Sequence, residues 1–176
     1  MTTPSLVFPA WTTPCAVQPT DIAFTKVKLP YGWLGCMAPL PVVYGGHRFR
    51  TSEALFQWLR FEGHPAVQAE ILAQTSPMMA KEVARTNRAL LGRGVMWDES
   101  GPDIEWMRLC IRLKLEQYPH LATLLAATGD AMLVEDCTTH PWESAEFWGA
   151  IRRGGRWHGK NVLGCLWMEL REGLRG

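Results

Sequence analysis

Residues 51–61 read TSEALFQWLRF, and at this stretch the sequence changes from strand-like to helical. Thr51 or Ser52 is suited to cap a helix, because both side chains accept hydrogen bonds from backbone N–H groups of the first turn. Glu53 falls in that turn, where a carboxylate interacts favourably with the helix dipole. Most of the following residues are large and apolar. Glu53 is therefore either a helix-end charge or a group placed for chemistry.

Two further polar residues follow Glu53 on the same helical face. Gln57 and Arg60 lie at i+4 and i+7 from Glu53, so the three side chains form one stripe between apolar flanks. Such a stripe suits the wall of a cleft as well as a face turned to solvent.

Short strands are predicted before this helix and further helices after it. Alternation of apolar and polar residues predicts a strand at 22–29, and PVVYGGHRF predicts two short strands around a glycine pair. A short strand is also predicted in AMLVED, whereas residues 137–160 are expected to be mostly loop. Apolar periodicity and breaking residues predict helices at 52–62, 66–73, 77–90, 104–118 and 161–174, of which 104–118 is the longest.

These elements predict an α+β fold, a mostly α-helical single domain with a few short strands. The chain has 176 residues, which is within the range of one domain with one core. We expect residues 1–21 to form an irregular N-terminal arm and residues 22–176 to form the domain.

Bulk composition excludes several classes of protein. The net charge of +1 indicates no overall attraction to polyanions. Five cysteines without a CxxC pair argue against a disulfide framework and a structural zinc site, and favour a reducing environment. The N-terminus lacks a secretion signal, and no run of about 18 apolar residues predicts a membrane span. We expect a soluble, cytoplasmic protein with no contact to membranes; its oligomeric state is not predicted.

Lys114 is placed among apolar residues of the longest predicted helix. It shares a face with Met107 and Tyr118 and not with a polar stripe. Its aliphatic stem can be buried while the ammonium group reaches water. Alternatively, the ammonium group points into a pocket, with Glu53 or Glu135 as its partner.

The loop GAIRRGGRWHGKN, residues 149–161, carries four cations among its glycines and runs into the last predicted helix. Basic side chains next to a helix N-terminus favour a phosphate or diphosphate, although a solvated surface loop has the same composition. The tryptophans nearby suit either stacking on a base or core packing; they are Trp142, Trp148 and Trp157.

Other chemistries have weaker support. The five histidines have no metal-ligand spacing, and neither GxSxG nor GxGxxG occurs. A cysteine in an apolar context such as Cys36 is more often inert than nucleophilic. No metal and no cofactor are predicted.

Several segments together resemble the YbiA-like proteins of the NADAR superfamily. In order they are TSEALFQ, Met107 with Lys114 in MRLCIRLK, ATGDAMLVED, FWG and GKNVLGCLWMELR, and they span residues 22–172. The segments KLPYGWLG, LFQWLRF and LWMELR resemble sequences of the branch of the family that is common in bacteriophage genomes.

The resemblance implies a mostly helical α+β fold and cleavage of N-glycosidic bonds on ribose. The expected substrate is an ADP-ribose-bearing nucleotide or ADP-ribosylated DNA, from which ADP-ribose is removed at guanine. One alternative is hydrolysis of ribosylaminopyrimidine intermediates of the riboflavin pathway. Another is a non-catalytic protein that binds ADP-ribose or a related nucleotide.

The resemblance also assigns site residues. Glu53 matches the family's leading catalytic carboxylate, and either Lys114 or Asp98 is expected to assist proton transfer. Substrate-binding positions are expected at Gly35, Cys36, Arg48, Gln57, Trp97, Glu135, Trp148, Gly149, Lys160, Asn161 and Gly164.

The chain also departs from the family pattern at several positions. Gly35 and Cys36 stand where many members have Ser-Asn, Ala54 replaces a histidine, and Arg60 replaces a lysine. Ala145 stands where an aspartate is common, and Glu143 and Glu146 are candidates to replace it.

Overall fold

The computed structural model describes residue 11 and residues 13–91 and 101–175. The helices are α1 Ser52–Arg60, α2 Pro65–Ala73, α3 Pro77–Thr86, α4 Asp103–Gln117, α5 Pro119–Ala126, α6 Ala145–Trp148 and α7 Val162–Gly173. The strands are β1 Cys15–Ala16, β2 Ile22–Phe24, β3 Val42–Tyr44, β4 His47–Phe49, β5 Leu133–Glu135, β6 Ile151–Arg153 and β7 Arg156–His158. They form two compact units: the helical unit, residues 26–121, and the mixed unit, residues 1–25 with 122–176.

The helical unit is built around α1. Eight of the nine residues of α1 are buried, because α2, α3 and α4 all pack against this helix. Thr51 is its N-cap, and the Thr51 hydroxyl accepts a hydrogen bond from the backbone N–H of Ala54 at 3.2 Å. The stripe of Glu53, Gln57 and Arg60 is therefore buried and does not face solvent.

Two predictions for the helical unit are confirmed. Strands β3 and β4 form an antiparallel hairpin through Gly45 and Gly46, whose φ angles of 56° and 78° require the left-handed region that glycine tolerates. Helix α4, with 15 residues, is the longest of the described helices. The helix predicted at 77–90 ends earlier, at Thr86, and residues 88–91 continue as a 3₁₀ turn.

The mixed unit contains two small sheets. Strand β2 pairs in parallel with β5, and α7 packs on β5. Strands β1, β7 and β6 form an antiparallel sheet in that order, so Cys15 and Ala16 near the N-terminus are paired with a strand from the end of the chain.

Two predictions for this part of the chain are partly wrong. The strand expected over 22–29 ends at Phe24, because the chain turns afterwards and the N–H of Leu29 bonds the Lys26 carbonyl. Residues 137–160 contain helix α6 and the β6–β7 hairpin, which turns through a glycine pair at 154–155. The sequence did not predict this hairpin, because arginines occupy exposed positions in both strands. Only one residue in each strand is buried, so the apolar alternation typical of a strand is lost. None of the helices within the described ranges is both long and apolar enough to cross a membrane.

Candidate active site

Glu53 is held by its backbone and by its side chain. Its N–H donates to the Cys36 carbonyl at 3.0 Å, which ties the start of α1 to the segment before β3. Its Oε1 accepts a hydrogen bond from Gln57 Nε2 at 2.8 Å. Only 7% of Glu53 is exposed, so the first turn of α1 presents a buried carboxylate in one fixed direction.

The polar stripe forms a continuous chain of contacts. Gln57 Oε1 accepts a hydrogen bond from Arg60 NH1 at 2.9 Å, and Arg60 Nε lies 3.6 Å from Asp103 Oδ1. All four side chains are more than nine-tenths buried. Asp103 was not predicted from the sequence; its only signal there is an acidic residue directly after Pro102 at the start of the longest helix.

Lys114 is completely buried in the helical unit. Its ammonium group donates to the Gly35 carbonyl at 2.9 Å. Burial lowers the pKa of Lys114 to about 8, against a smaller opposing effect of the thiols of Cys36 and Cys110. An amine with this pKa is mostly protonated at neutral pH and gives up its proton far more readily than a surface lysine.

Sulfur atoms line the surroundings of Lys114. The Cys36 thiol donates to the Met107 thioether at 3.3 Å. Burial raises the pKa of the Cys110 thiol well above its ordinary value, and Cys36 and Glu53 raise it further while Lys114 lowers it. Lys114 bonds the Gly35 carbonyl and the Glu53 N–H bonds the carbonyl of the next residue, Cys36, so both predicted catalytic residues are buried against the same segment.

Four of the expected site positions come together around strand β5 in the mixed unit: Glu135, Gly149, Asn161 and Gly164. Asn161 is fully buried with a left-handed backbone, φ 51°. Its Oδ1 accepts from the N–H of Glu135 at 3.0 Å, and its Nδ2 donates to the Leu133 carbonyl at 2.9 Å. Both polar atoms of the Asn161 amide are therefore hydrogen-bonded to the backbone of β5. These bonds hold in place the strand that carries the Glu135 side chain.

Gly149 and Gly164 allow close approach to the same strand. A Cβ at Gly164 would lie 2.1 Å from the Leu133 carbonyl oxygen, and a Cβ at Gly149 would lie 2.4 Å from that of Glu135. Both distances are far inside van der Waals contact, so only glycine fits. The side chain of Glu135 is half-buried at the end of β5.

The basic residues of the 149–161 segment mostly have partners within the protein. Arg153 forms an exposed ion pair with Glu146 at 2.8 Å, and Arg156 donates to the Pro14 carbonyl at 2.9 Å. The ammonium group of Lys160 lies 5.6 Å from the Phe147 ring centroid.

The tryptophans of this region differ in their surroundings. Trp148 is buried at the end of α6 and contacts Phe147 edge-to-face, with ring centroids 4.9 Å apart. Trp157 belongs to a buried apolar cluster with Val134 and Ala150, and its indole N–H donates to Asp21 at 2.9 Å. Trp157 is therefore a core residue, whereas Trp142 is 52% exposed.

Of the other expected site residues, Arg48 does not join these groups. Arg48 is exposed in the middle of β4, opposite Val43. Trp97 and Asp98 lie outside the described residues. A cleft of about 370 Å³ lies at the far end of α1, with Arg60, His64 and Trp106 among its lining residues.

Neither disulfides nor metal clusters appear in the described part of the chain. All five cysteines are free thiols. Within residues 13–91 and 101–175, no three His, Cys, Asp or Glu side chains are grouped so that they could hold a metal ion.

Comparisons with known proteins extend over nearly the whole chain. The NADAR domain family matches residues 23–175. N-glycosidase YbiA of Shigella flexneri serotype 5b is 35% identical over 158 residues, which cover 90% of this chain and 91% of that protein. The chloroplastic riboflavin biosynthesis protein PYRR of Zea mays is 34% identical over 131 residues, covering 72% of this chain and 20% of that protein.

A solved structure supports the same relationship. The NMR structure of the Escherichia coli protein YbiA superposes with a TM-score of 0.67 at 32% identity, covering 93% of this chain and 89% of that chain. These matches confirm the resemblance carried by the five sequence segments. They also confirm the predicted fold class, α+β with helices predominating.

Proposed function

The chain belongs to the NADAR domain family and is an N-glycosidase, and we propose that it removes ADP-ribose from ADP-ribosylated guanine in nucleic acid or nucleotides. The observation that carries the assignment of the site is the buried Glu53 carboxylate, held by Gln57 and sharing its surroundings with a lysine of lowered pKa. Perturbed titratable groups held in fixed positions are typical of catalytic sites.

The proposed reaction places Glu53 next to C1′ of the ribose. The C1′–N bond breaks with its electron pair leaving on guanine, and positive charge develops on the sugar ring. The Glu53 carboxylate stabilises that charge and accepts a proton from the water that adds to C1′. A charge that is held in place before the reaction stabilises the transition state without reorganisation.

The departing base needs a proton, and we assign its donation to Lys114. At neutral pH most Lys114 side chains are protonated, because the pKa is about 8. Because the pKa of Lys114 is close to neutral pH, its proton can be transferred in the transition state. Glu53 then releases its proton to solvent and Lys114 takes one up, and the products are ADP-ribose and the nucleotide or nucleic acid that carries unmodified guanine.

A surface loop supports nucleic acid as the substrate. Residues 26–31, KVKLPY, are all exposed, and the loop carries two lysines and no acidic residue. Tyr31 is 38% exposed, so its ring is available to stack on a base while Lys26 and Lys28 neutralise phosphates. The loop leads directly to Gly35, whose carbonyl binds Lys114.

Riboflavin-pathway intermediates are the second candidate substrate. The relative from Zea mays is named a riboflavin biosynthesis protein, although this chain spans only 20% of its length. A ribosylaminopyrimidine also contains a ribosyl C1′–N bond, so the same carboxylate and lysine serve the reaction.

The decisive experiment compares Glu53→Gln with the wild-type protein on three substrates. These are an ADP-ribosylated guanine oligonucleotide, the corresponding mononucleotide and a ribosylaminopyrimidine phosphate. Mass spectrometry quantifies ADP-ribose and unmodified guanine nucleotide for the first two, and released pyrimidine and ribose phosphate for the third. We expect turnover of the guanine substrates by the wild-type protein and a loss of about 10²–10⁴-fold in Glu53→Gln. Glu116→Gln, which removes an exposed carboxylate from α4, is the matched control.

Each other outcome has a definite meaning. Turnover of the ribosylaminopyrimidine alone supports the second candidate. Tight binding of ADP-ribose without cleavage of any of the three substrates identifies a binding protein. Equal turnover by the wild-type protein and Glu53→Gln removes Glu53 from the mechanism.

The loop is tested separately by binding of a fluorescein-labelled single-stranded DNA. Lys26→Ser/Lys28→Ser is expected to weaken binding and to reduce the slope of log K against log salt by about 1.4, since each phosphate contact contributes about 0.7. Arg85→Ser/Arg112→Ser removes two exposed cations elsewhere and is the control. Equal effects of the two double variants would favour a small-molecule substrate.

A further inference from the structure

We infer that Arg60 is a positioning residue that orients the Glu53 carboxylate through the side-chain amide of Gln57. The inference rests on the proposed role of Glu53 and adds two groups, Arg60 and Asp103, that act on Glu53 through Gln57. Its evidence is the continuous chain Glu53–Gln57–Arg60–Asp103, in which every member is buried.

Arg60 determines which way the amide of Gln57 faces. A guanidinium group can only donate hydrogen bonds, so the Gln57 atom 2.9 Å from Arg60 NH1 has to be the acceptor Oε1. The Gln57 NH₂ group is then directed to Glu53, at 2.8 Å. Without Arg60, the amide can rotate by 180° and present its oxygen to the carboxylate.

The direction of this hydrogen bond matters for the chemistry. An NH₂ donor stabilises the ionised carboxylate, whereas an amide oxygen in the same place would repel it. The bond also occupies Oε1 and leaves Oε2 as the oxygen for the sugar. Gln57 therefore selects the reactive oxygen of Glu53.

Arg60 is itself held on two sides. Its Nε lies 3.6 Å from Asp103 Oδ1, and its guanidinium carbon lies 5.5 Å from the Phe56 ring centroid. The planar guanidinium group can face Gln57 and Asp103 with different nitrogens, which a lysine with a single nitrogen cannot reproduce in the same geometry. Arg60→Lys is therefore expected to preserve the orientation of the Gln57 amide only in part.

The test uses Arg60→Met, Arg60→Lys and the double variant Arg60→Met/Asp103→Leu. The double variant removes both buried charges, so it avoids leaving Asp103 uncompensated and guards against simple misfolding. Arg112→Met, which removes an exposed arginine of α4, is the control. The readouts are kcat and KM on the guanine substrate and hydrogen exchange of the Gln57 side-chain amide by NMR.

We expect kcat to fall by about 10–100-fold in Arg60→Met and in the double variant, with KM changed by less than about threefold. Arg60→Lys should recover part of the loss. Exchange of the Gln57 NH₂ group should accelerate by about tenfold or more, because its orientation is no longer enforced. Arg112→Met should leave all three quantities unchanged.

A folded double variant with wild-type kcat overturns the inference, and so does unchanged exchange of the Gln57 amide. Failure of the proposed function looks different: the wild-type protein then releases no ADP-ribose from the guanine substrate, or Glu53→Gln matches it. In that case the exchange measurement alone decides whether Arg60 orients Gln57.

Discussion

Asn161 holds Glu135 in place through the backbone: Asn161 Oδ1 accepts from the Glu135 N–H at 3.0 Å, while Asn161 Nδ2 donates to the Leu133 carbonyl at 2.9 Å. One amide thus satisfies a backbone donor and a backbone acceptor on β5. This explains why an asparagine at the start of a helix is completely buried and adopts a left-handed backbone.

Asn161→Ala is expected to destabilise the protein by about 3–5 kcal/mol. Two buried backbone groups lose their partners, at about 1–3 kcal/mol each, and alanine tolerates the left-handed conformation poorly. Urea unfolding followed by circular dichroism measures the effect. Asn87→Ala, which removes one half-buried amide bond to the Val83 carbonyl, is the control and should cost about 0.5–1.5 kcal/mol.

Gly164→Ala should be severely destabilising, whereas Gly173→Ala in the same helix should be tolerated. A Cβ at Gly164 meets the Leu133 carbonyl and the Asn161 amide, and nothing lies within 4 Å of a Cβ at Gly173. We expect a loss of about 3 kcal/mol or more for the first and a change of at most about 1 kcal/mol for the second. Similar melting temperatures for both variants would contradict the close packing of α7 on β5.

Activity should fall as pH rises through about 8. The protonated form of Lys114 is the proposed donor, and its pKa is lowered from 10.5 to about 8. The rate should therefore be constant near pH 7 and decline tenfold per pH unit well above 8. A pH–rate profile of the wild-type protein shows this limb, and the residual activity of Lys114→Met should lack it.

Unlike activity, the free energy of unfolding should rise with pH where Lys114 loses its proton in the folded state. Because the pKa in the folded state is below that of the unfolded chain, the unfolded chain binds more protons between pH 8 and 10.5. Stability of the wild-type protein relative to Lys114→Met should rise across this window by about 3 kcal/mol and stay level below pH 8. If the difference in unfolding free energy between the wild-type protein and Lys114→Met stayed constant from pH 7 to 10.5, Lys114 would not be desolvated in the folded state. Lys28→Met, at an exposed position, is the control.

Arg171→Met is expected to cost about 2–4 kcal/mol. Its NH1 donates to the Thr128 hydroxyl at 2.8 Å and to the Ala131 carbonyl at 2.9 Å, so α7 is tied to the turn before β5. Arg171 is 4% exposed, and burial lowers its pKa. Both acceptors lose a donor in the variant. Arg175→Met, which breaks exposed ion pairs with Asp130 and Glu172, should change thermal stability by less than about 1 kcal/mol.

Much of the fold could be predicted from local sequence. The β3–β4 hairpin was recognisable because two glycines separate short apolar runs, and α4 because apolar residues recur at helical spacing over 15 residues. The β6–β7 hairpin was not recognisable, since arginines occupy exposed positions in both strands. Pairing of β1 with β7 could not be predicted either, because more than 130 residues separate partners such as Cys15 and Trp157.

The candidate site was predictable in part. Glu53, Gln57 and Arg60 lie one helical turn apart, so their alignment follows from helix geometry alone. Asp103 could not be predicted from the sequence, because its contact with Arg60 depends on how α4 packs against α1.

Sequence alone determined that a helix begins at residues 51–52, that Glu53 occupies its first turn and that a lysine stands among apolar residues of a later helix. These are consequences of residue spacing and backbone preference within a few turns of chain. Only the tertiary structure decided that the stripe on α1 is buried, that Arg60 faces Asp103 and that the amide of Asn161 binds β5. The reason is physical: desolvation and hydrogen-bond direction depend on neighbours brought together by packing, and local periodicity carries no information about them.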